Sequence, residues 1–398
     1  MRRRDVLKAL GIATALAAMP QASAGQARNV SCRATGSLGI VIERANASVL
    51  LVDNQAREII TRIEGLGDVS HASATFSPDE RFAFVFGRDG GLTKIDLLAG
   101  RIAARVVQAG NSIGGAISDD GRLIAVSNYK PGGVKVFSAA DLAPVADIPA
   151  LVDGARSKVV GLVDAPGRRF LFSLFEAGEI WLADFSAGGK PRITRLGHAG
   201  KQPYDALIDP TGRYYIAGLF GEDGMALVDL WKDPPRIRRI LNGYGRGEKR
   251  LPVYKMPHLE GWTQAGGDYF FPAVGHHEVL VMNGRTFELE AKIPVHGQPV
   301  FVMARPDGRH LWVNFAPPNN DTLQVIDTPA RRVIHTMTPG RGVLHLEFVN
   351  RGAEVWCSVR DENRIDIFDT HTFRKVASLP AKAPSGIFFT PRAHRIGL

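Results

Sequence analysis

Three side chains able to bind a metal or move a proton lie next to strand-like or turn segments: His71, Tyr204 and His258. His71 stands just before the apolar run at Phe76, and Tyr204 stands just before a Pro-Thr-Gly-Arg turn. A neutral imidazole is a common metal ligand, and a phenol or an imidazole can transfer a proton. The residue types therefore suggest a metal-bearing ligand that is held by an imidazole and faced by proton-transfer groups.

Other residues are suited to holding a large, flat, anionic ligand. Trp262 follows His258 in the segment KMPHLEGW and could pack on a planar ring. Arg156 and Arg341 lie in glycine-containing loops before strand-like segments and could bind carboxylates through two parallel hydrogen bonds. For each of these residues a purely structural role is the alternative: a turn histidine, a packing tyrosine or an exposed loop arginine.

A repeated pattern defines the elements that must position these residues. A turn of the Pro-Asp-Gly-Arg type, an apolar strand, a short polar turn and a second strand ending near Asp recur along the chain, as in SPDERFAFVFGRDGGLTKIDL and RPDGRHLWVNFAPPNNDTLQVIDT. About eight copies occur roughly 42–54 residues apart, which is the period of a four-stranded propeller blade. The sequence therefore predicts one all-β, eight-bladed β-propeller with four-stranded blades over residues 30–398.

The two ends of this domain are predicted to close the ring. The segment from Ser385 to Thr390 is strand-like but lacks a complete blade of its own. We expect it to pair with the degenerate first repeat near Leu38, because a propeller must protect its terminal edges. An eight-bladed ring leaves a central funnel, which would suit a large flat ligand.

Residues 1–24 have the features of a twin-arginine signal peptide. Paired arginines, an apolar pair and Lys8 precede a short Ala-rich stretch, and Ala22-Ser23-Ala24 is a typical cleavage site. The apolar stretch is too short to span a membrane. We therefore expect export to the periplasm, and no membrane span.

Charge and cysteine content limit the partners. The formal net charge is +9, yet no run of Lys or Arg indicates nucleic-acid binding. A modest positive excess suits an anionic small molecule with several carboxylates. The two cysteines, Cys32 and Cys357, could form a disulfide in an oxidising compartment or remain unpaired.

At these residues the chain resembles the NirF family of haem d1 biosynthesis proteins and, more distantly, the d1-haem domain of cytochrome cd1 nitrite reductase. The segment VSHASATFSPDERFAFVFGRDGGLTKIDL resembles the stretch that supplies the reductase's proximal histidine, which implies that His71 is the proximal iron ligand. KMPHLEGW resembles the stretch with one distal histidine and implies that role for His258. The other distal histidine is replaced by Tyr204, and no CxxCH motif for a c-type haem is present, so the resemblance does not imply nitrite reduction.

The resemblance implies a periplasmic protein of nitrite reductase maturation, and thus of denitrification, that binds haem d1 or its dihydro precursor. One interpretation is enzymatic: a late side-chain modification, such as dehydrogenation of a propionate, with His258 as proton acceptor and Tyr204 as donor or orienting group. The second is a carrier that passes the precursor to other maturation proteins or to apo-cytochrome cd1 nitrite reductase. A propeller scaffold without a cofactor is a third interpretation.

Overall fold

Residues 34–245, 261–273 and 275–397 are described by the computed structural model, and they form a ring of antiparallel sheets. Eight sheets have four strands each, which confirms the predicted all-β, eight-bladed propeller. A ninth, two-stranded sheet is a short hairpin between the third and fourth blades. The leader and the segment that contains His258 lie outside the described residues.

The strands follow one another with short connections. In chain order they are β1 (Leu38–Glu43), β2 (Ser48–Asp53), β3 (Glu58–Ile63), β4 (Ser73–Phe76), β5 (Phe82–Phe86), β6 (Gly91–Asp96), β7 (Arg101–Val107), β8 (Asn111–Ile117), β9 (Leu123–Lys130), β10 (Val134–Ser138), β11 (Pro144–Ile148), β12 (Leu151–Val152), β13 (Ala155–Arg156), β14 (Val159–Ala165), β15 (Arg169–Leu174), β16 (Glu179–Asp184) and β17 (Arg192–Leu196). The second half contains β18 (Pro203–Ile208), β19 (Tyr214–Leu219), β20 (Met225–Asp229), β21 (Ile237–Ile240), β22 (Thr263–Ala265), β23 (Asp268–Ala273), β24 (Glu278–Asn283), β25 (Leu289–Pro294), β26 (Pro299–Ala304), β27 (His310–Phe315), β28 (Leu323–Asp327), β29 (Arg332–Met337), β30 (Val343–Phe348), β31 (Glu354–Val359), β32 (Arg364–Asp369), β33 (Lys375–Pro380) and β34 (Pro384–Phe389). Short 3₁₀ helices cover Thr35–Ser37, Asn350–Gly352, Arg360–Glu362 and Thr390–His394.

The ring closes as the sequence predicts. The first blade has the order β3-β2-β1-β34, so its innermost strand comes from the C-terminal end of the chain. β34 pairs antiparallel with β1, with Gly39 opposite Phe389. A side chain at Gly39 would place its Cβ 2.4 Å from the Phe389 ring, so glycine is required for this close approach.

Burial follows the position of each strand within its blade. β1, β2 and β6 are buried at every residue, because both faces of a blade pack against neighbouring blades. The outermost strand β29 alternates between exposed and half-buried residues. The apolar strands of the repeat are thus the inner ones, and the polar alternation marks the outer edge.

The recurring Asp near the end of each repeat has a structural role. Asp53, Asp96, Asp327 and Asp369 each end the third strand of a blade and accept hydrogen bonds from the backbone N–H groups that follow. This is the Asx-turn geometry that reverses the chain into the outermost strand. The sequence pattern is therefore explained by turn chemistry.

Each of the eight interfaces between adjacent blades has its own buried cluster of hydrophobic side chains. Cys357 is fully buried in the cluster that joins the seventh and eighth blades, and burial raises the pKa of its thiol. Its possible partner Cys32 lies outside the described residues, so the pairing stays a prediction. Within the described part of the chain, no helix has the length and apolar character to cross a membrane.

Candidate functional site: an axial cavity ringed by strand bulges

One cavity of about 260 Å³ opens at the amino-terminal ends of the innermost strands, on the axis of the ring. Seven of the eight blades contribute to its wall, as expected for a site on a propeller axis. The lining residues are Arg44, Ser70, His71, Ala72, Ser73, Gly114, Ser127, Gly161, Leu162, Tyr204, Asp205, Phe301, Leu344, His345, Ser385, Gly386 and Phe388.

The cavity wall is built from β-bulges at equivalent places in five innermost strands. In β14, β18, β26, β30 and β34, two residues oppose one residue of the neighbouring strand. At least one residue of every bulged pair lines the cavity: Gly161-Leu162, Tyr204-Asp205, Phe301, Leu344-His345 and Ser385-Gly386. A bulge turns adjacent side chains away from strict alternation, and this is why neighbours such as Tyr204 and Asp205 both reach the axis.

Side chains of adjacent strands bind the backbone groups that these bulges release from the ladder. Asn314 accepts a hydrogen bond from the N–H of Phe301 at 2.9 Å, and Ser358 accepts one from the N–H of His345 at 2.8 Å. The Tyr215 hydroxyl donates to the carbonyl of Gly161 at 2.8 Å. Because a buried unpaired amide or carbonyl costs about 1–3 kcal/mol, these contacts fix the shape of the wall.

His71 reaches the cavity from the turn just before β4, the position expected from the sequence. Its side chain is half-buried, and Ala72 and Ser73 beside it also line the wall. No cluster of three or more His, Cys, Asp or Glu side chains that could hold a bare metal ion occurs within the described ranges. A single imidazole suits the axial position of a metal whose other ligands come from a macrocycle.

Tyr204 also lies in the wall, 7% exposed, and its hydroxyl is 2.6 Å from the hydroxyl of Tyr129. Burial, followed by the charge of Asp205, raises the pKa of the Tyr204 phenol far above its ordinary value. Burial raises the pKa of Tyr129 to about 12. Both groups therefore stay protonated at physiological pH, and Tyr204 can donate a hydrogen bond but cannot act as a general base.

His345 is both a buried residue and a residue of the cavity wall. It is 7% exposed, and it packs against the rings of Phe301 and Phe388, yet it lines the cavity. Its Nδ1 accepts a hydrogen bond from the backbone N–H of Ile387 at 3.2 Å, which leaves the proton on Nε2. Burial lowers the pKa of His345 to about 3, so the ring is neutral.

The arginine in the cavity wall is Arg44, which no sequence pattern indicated. Burial, and then the nearby charge of Arg360, lowers the pKa of its guanidinium, and Arg88 adds to this effect. Within the described residues, neither Arg44 nor Arg88 has a carboxylate within ion-pair distance, although Asp68 lies close enough to attract Arg44. The guanidinium of Arg44 at the cavity suits a carboxylate of a ligand.

The two predicted arginines lie elsewhere. Arg156 is exposed in the hairpin of β12 and β13, and Arg341 is exposed in the loop before β30, where its backbone N–H is bonded to Glu362. Neither lines the cavity formed by the described residues. Their contact with a ligand stays a prediction without support from the cavity geometry.

Trp262 occupies the hydrophobic core instead of the cavity wall. It is 3% exposed and packs edge-on against Phe271 at 4.5 Å, in the cluster between the fifth and sixth blades. The expected stacking on a flat ligand therefore finds no support, because the indole is enclosed by protein. His258 lies outside the described residues, so its role remains a prediction.

The residues present fit an iron tetrapyrrole. The imidazoles of His71 and His345, the guanidinium of Arg44 and the apolar side chains share one axial cavity. Gly161 has a φ of 57°, and a Cβ there would lie 2.5 Å from the carbonyl oxygen of Tyr204, so only glycine allows the strands to pack this closely at the wall. An apolar pocket with a few polar groups is the usual design of a cofactor site.

Sequence reasoning missed Arg44, Tyr129 and His345 as a set. Arg44 follows β1 in the degenerate first repeat, where no turn signal marks it. Tyr129 is the penultimate residue of β9, the second strand of its blade. Its part in the site depends on a hydrogen bond with Tyr204, 75 residues away. The one available signal was the position of His345, three residues from a Pro-Gly-Arg-Gly loop and directly before an apolar run.

Comparison with known proteins agrees with this geometry. Residues 33–393 match the family model described as Cytochrome D1 heme domain. The chain is 60% identical to Protein NirF of Pseudomonas aeruginosa over 378 residues, covering 94% of this chain and 96% of that protein. It is 58% identical to Protein NirF of Stutzerimonas stutzeri over 396 residues, covering 99% and 98% of the two chains.

A solved structure is similar across most of the propeller. The dihydro-haem d1 dehydrogenase NirN in complex with DHE superposes with a TM-score of 0.80 at 26% identity, covering 91% of this chain and 77% of that chain. The dihydro-haem d1 dehydrogenase of Pseudomonas aeruginosa is 28% identical over 360 residues, which cover 88% of this chain and 70% of that protein.

Proposed function

The chain belongs to the NirF family within the Cytochrome D1 heme domain proteins, and on this premise we propose that it binds haem d1 or its dihydro precursor in the axial cavity. The observation that carries the proposal is the placement of His71 in the cavity wall beside Tyr204 and Arg44. The similar propeller named dihydro-haem d1 dehydrogenase NirN was solved in complex with DHE, and this similarity supports the same class of ligand.

Each described residue has a defined part in this binding. His71 would supply an imidazole to the iron, and Arg44 would bind a carboxylate of the ring. Phe301 and Phe388 provide apolar surface for the macrocycle. Tyr204 offers a phenol hydroxyl that keeps its proton, since burial raises its pKa. The bound group supplies the redox chemistry, whereas the chain orients it and excludes water.

We further infer that the protein takes part in a late side-chain modification of the precursor. Conversion of a propionate to an acrylate breaks two C–H bonds and forms one C=C bond. One proton passes to His258 and the other to water, and the two electrons pass to two equivalents of an external one-electron acceptor. His258 is the proposed proton acceptor, and Tyr204 is the proposed donor or orienting group. Support comes from the similarity to a protein named dihydro-haem d1 dehydrogenase.

A carrier is the second candidate function, and the burial of the wall residues Tyr204 and His345 favours it. A largely buried wall that holds the precursor would protect it until delivery to another maturation protein or to apo-cytochrome cd1 nitrite reductase. The proposed compartment is the periplasm, reached by the twin-arginine route. The basic composition suits an anionic small-molecule ligand.

Titration of the purified mature protein with ferric haem d1, followed by absorbance, tests the binding proposal. The wild type is expected to shift the spectrum until one equivalent is bound, and His71→Ala to lose or alter that shift. His394→Ala is the matched control, because His394 is exposed and paired with Glu80 outside the axial cavity. No spectral change in the wild type would refute the proposal and favour the scaffold interpretation.

A second incubation separates enzyme from carrier. Dihydro precursor bound to the protein is mixed with a one-electron acceptor, and the extracted pigment is analysed by chromatography. Conversion that depends on the protein supports the modification. Tight binding with unchanged pigment supports the carrier.

A further inference from the structure

We propose that Tyr129 positions the hydroxyl of Tyr204 as a hydrogen-bond donor to an acceptor of the ligand in the axial cavity. This inference rests on the proposed binding function and adds a residue that does not line the cavity itself. Tyr129 is therefore a positioning residue, and it acts through Tyr204.

The geometry joins two distant parts of the ring. Tyr129 lies near the end of β9 in the third blade, and Tyr204 lies in the bulge of β18 in the fifth blade. Their hydroxyl oxygens are 2.6 Å apart, a short distance for a hydrogen bond between two hydroxyls. The hydrogen bond between the two hydroxyls thus connects the third blade with the fifth blade near the axial cavity.

The Tyr204 ring is held in place independently of this bond. Its centroid lies 5.8 Å from that of Phe175 and 5.6 Å from that of Phe220, in edge-to-face and tilted arrangements. Because these contacts fix the Tyr204 ring, only its hydroxyl hydrogen can still change direction, by rotation about the C–O bond toward a hydrogen-bond acceptor. That direction is what Tyr129 controls.

The number of protons determines what the pair can do. Each phenol has one hydrogen, and one of the two hydrogens is used between the hydroxyls. If Tyr129 donates to Tyr204, the hydrogen of Tyr204 is available to an acceptor in the cavity. A ligand that bears a lone pair or negative charge above Tyr204 selects this arrangement, because the reverse would direct two acceptors at each other.

Burial first, and nearby charges after it, determine that both phenols stay protonated. Asp205, adjacent to Tyr204, disfavours a phenolate at either ring, and Glu176 does so at Tyr129, whereas Arg88 has the opposite effect on both. Burial outweighs the effect of Arg88 and raises both pKa values. The pair therefore acts as a neutral two-hydroxyl chain, with half-buried Tyr129 at its outer end.

The first test uses the ligand-free protein. A hydroxyl proton in a short buried hydrogen bond exchanges slowly enough to be seen by proton NMR, and we expect its resonance in the wild type. Tyr129→Phe and Tyr204→Phe should both remove it, and Tyr214→Phe, which alters a tyrosine packed against Phe287 outside the cavity, should not. Its survival in Tyr129→Phe would overturn the inference.

The second test is a double-mutant cycle with ferric haem d1 as the probe, followed by absorbance. Tyr129→Phe is expected to weaken binding about three- to tenfold, the net effect of one hydrogen bond. The double variant should bind no more weakly than Tyr204→Phe alone, because Tyr129 acts through that residue. Thermal unfolding of each variant verifies that the fold is intact.

The outcomes separate this inference from the proposed function. If the wild type does not bind the probe, the proposed function fails and this inference fails with it. If the wild type binds and the effects of the two substitutions add, or Tyr129→Phe binds like the wild type, the inference alone is overturned.

Discussion

At the scale of the residue, the site depends on a few side chains whose charge states are set by burial. His345 is neutral and Tyr204 remains a phenol, while Arg44 is a cation that has no ion-pair partner among the described residues. The sequence indicated His71 and Tyr204 because both stand directly before strand-like segments. It could not indicate Arg44, since nothing in its local sequence shows that the end of β1 reaches the axis.

Arg44 gives a prediction about ligand charge. Arg44→Gln should weaken binding of haem d1 about tenfold or more, because a hydrogen bond between charged groups contributes about 1.5–3 kcal/mol. Absorbance titration at low and moderate salt measures the effect. Arg122→Gln, at an exposed side chain on a distant turn, is the control. Equal affinities of wild type and Arg44→Gln would contradict the assignment of Arg44 to the ligand's carboxylates.

At the scale of the element, the bulges are the feature that the sequence did not reveal. Turn signals and apolar runs predict where a strand lies, and the structure has strands at those places. A two-against-one bulge depends on the register between strands, which one-dimensional patterns do not specify. Leu344 and His345 therefore both line the cavity although adjacent residues of a regular strand face opposite sides.

The bulge of β30 gives a prediction about stability and binding together. Ser358→Ala removes the acceptor of the His345 N–H and should lower the free energy of unfolding by about 1–3 kcal/mol. Binding of haem d1 should weaken as well, because the wall loses its fixed shape. Ser378→Ala, at an exposed residue of outer strand β33 that does not line the cavity, should leave binding unchanged. Denaturant unfolding and absorbance titration measure the two effects.

The C-terminal segment gives a prediction about pH. Asp164 is buried at the end of β14 and accepts a hydrogen bond from the backbone N–H of Gly397 at 2.9 Å. Burial raises its pKa to about 7, whereas the unfolded chain has a pKa near 3.9. The unfolded state therefore releases the proton of Asp164 first, and the contribution of this residue to the free energy of unfolding falls as pH rises from about 4 to 7.

Asp164→Asn keeps the acceptor for Gly397 but removes this titration. At pH 8 the variant should have a higher melting temperature than the wild type. At pH 5 this increase should be smaller, or the melting temperature should be lower than that of the wild type. Thermal unfolding at the two pH values measures the change. A gap between the two proteins that is the same at pH 5 and pH 8 would show that Asp164 does not titrate in this range.

At the scale of the whole molecule, the closed ring was predictable and its cavity was not. Repeats at blade spacing and a C-terminal strand without a blade of its own can be read from the linear sequence, and they predict that the propeller ring closes. The cavity wall combines residues of seven blades, and the contact of Tyr129 with Tyr204 is visible only once the ring has closed. The eight inter-blade clusters make every blade depend on two neighbours.

Ring closure gives a prediction about cooperativity. Phe389→Ala removes a fully buried ring between the last and first blades and should cost about 3–5 kcal/mol. Unfolding followed by tryptophan fluorescence and by circular dichroism should remain one coincident transition at lower denaturant. Two separate transitions would show that the blades unfold independently of closure.

The central claim is that a haem d1-type macrocycle lies in the axial cavity with its iron bound to His71. A crystal structure of the mature protein grown with ferric haem d1 tests it most directly. We expect the macrocycle on the propeller axis, a ring nitrogen of His71 at coordination distance from the iron, and Arg44 at a ring carboxylate. A macrocycle bound elsewhere on the surface, or an iron ligated by another residue in place of His71, would contradict it.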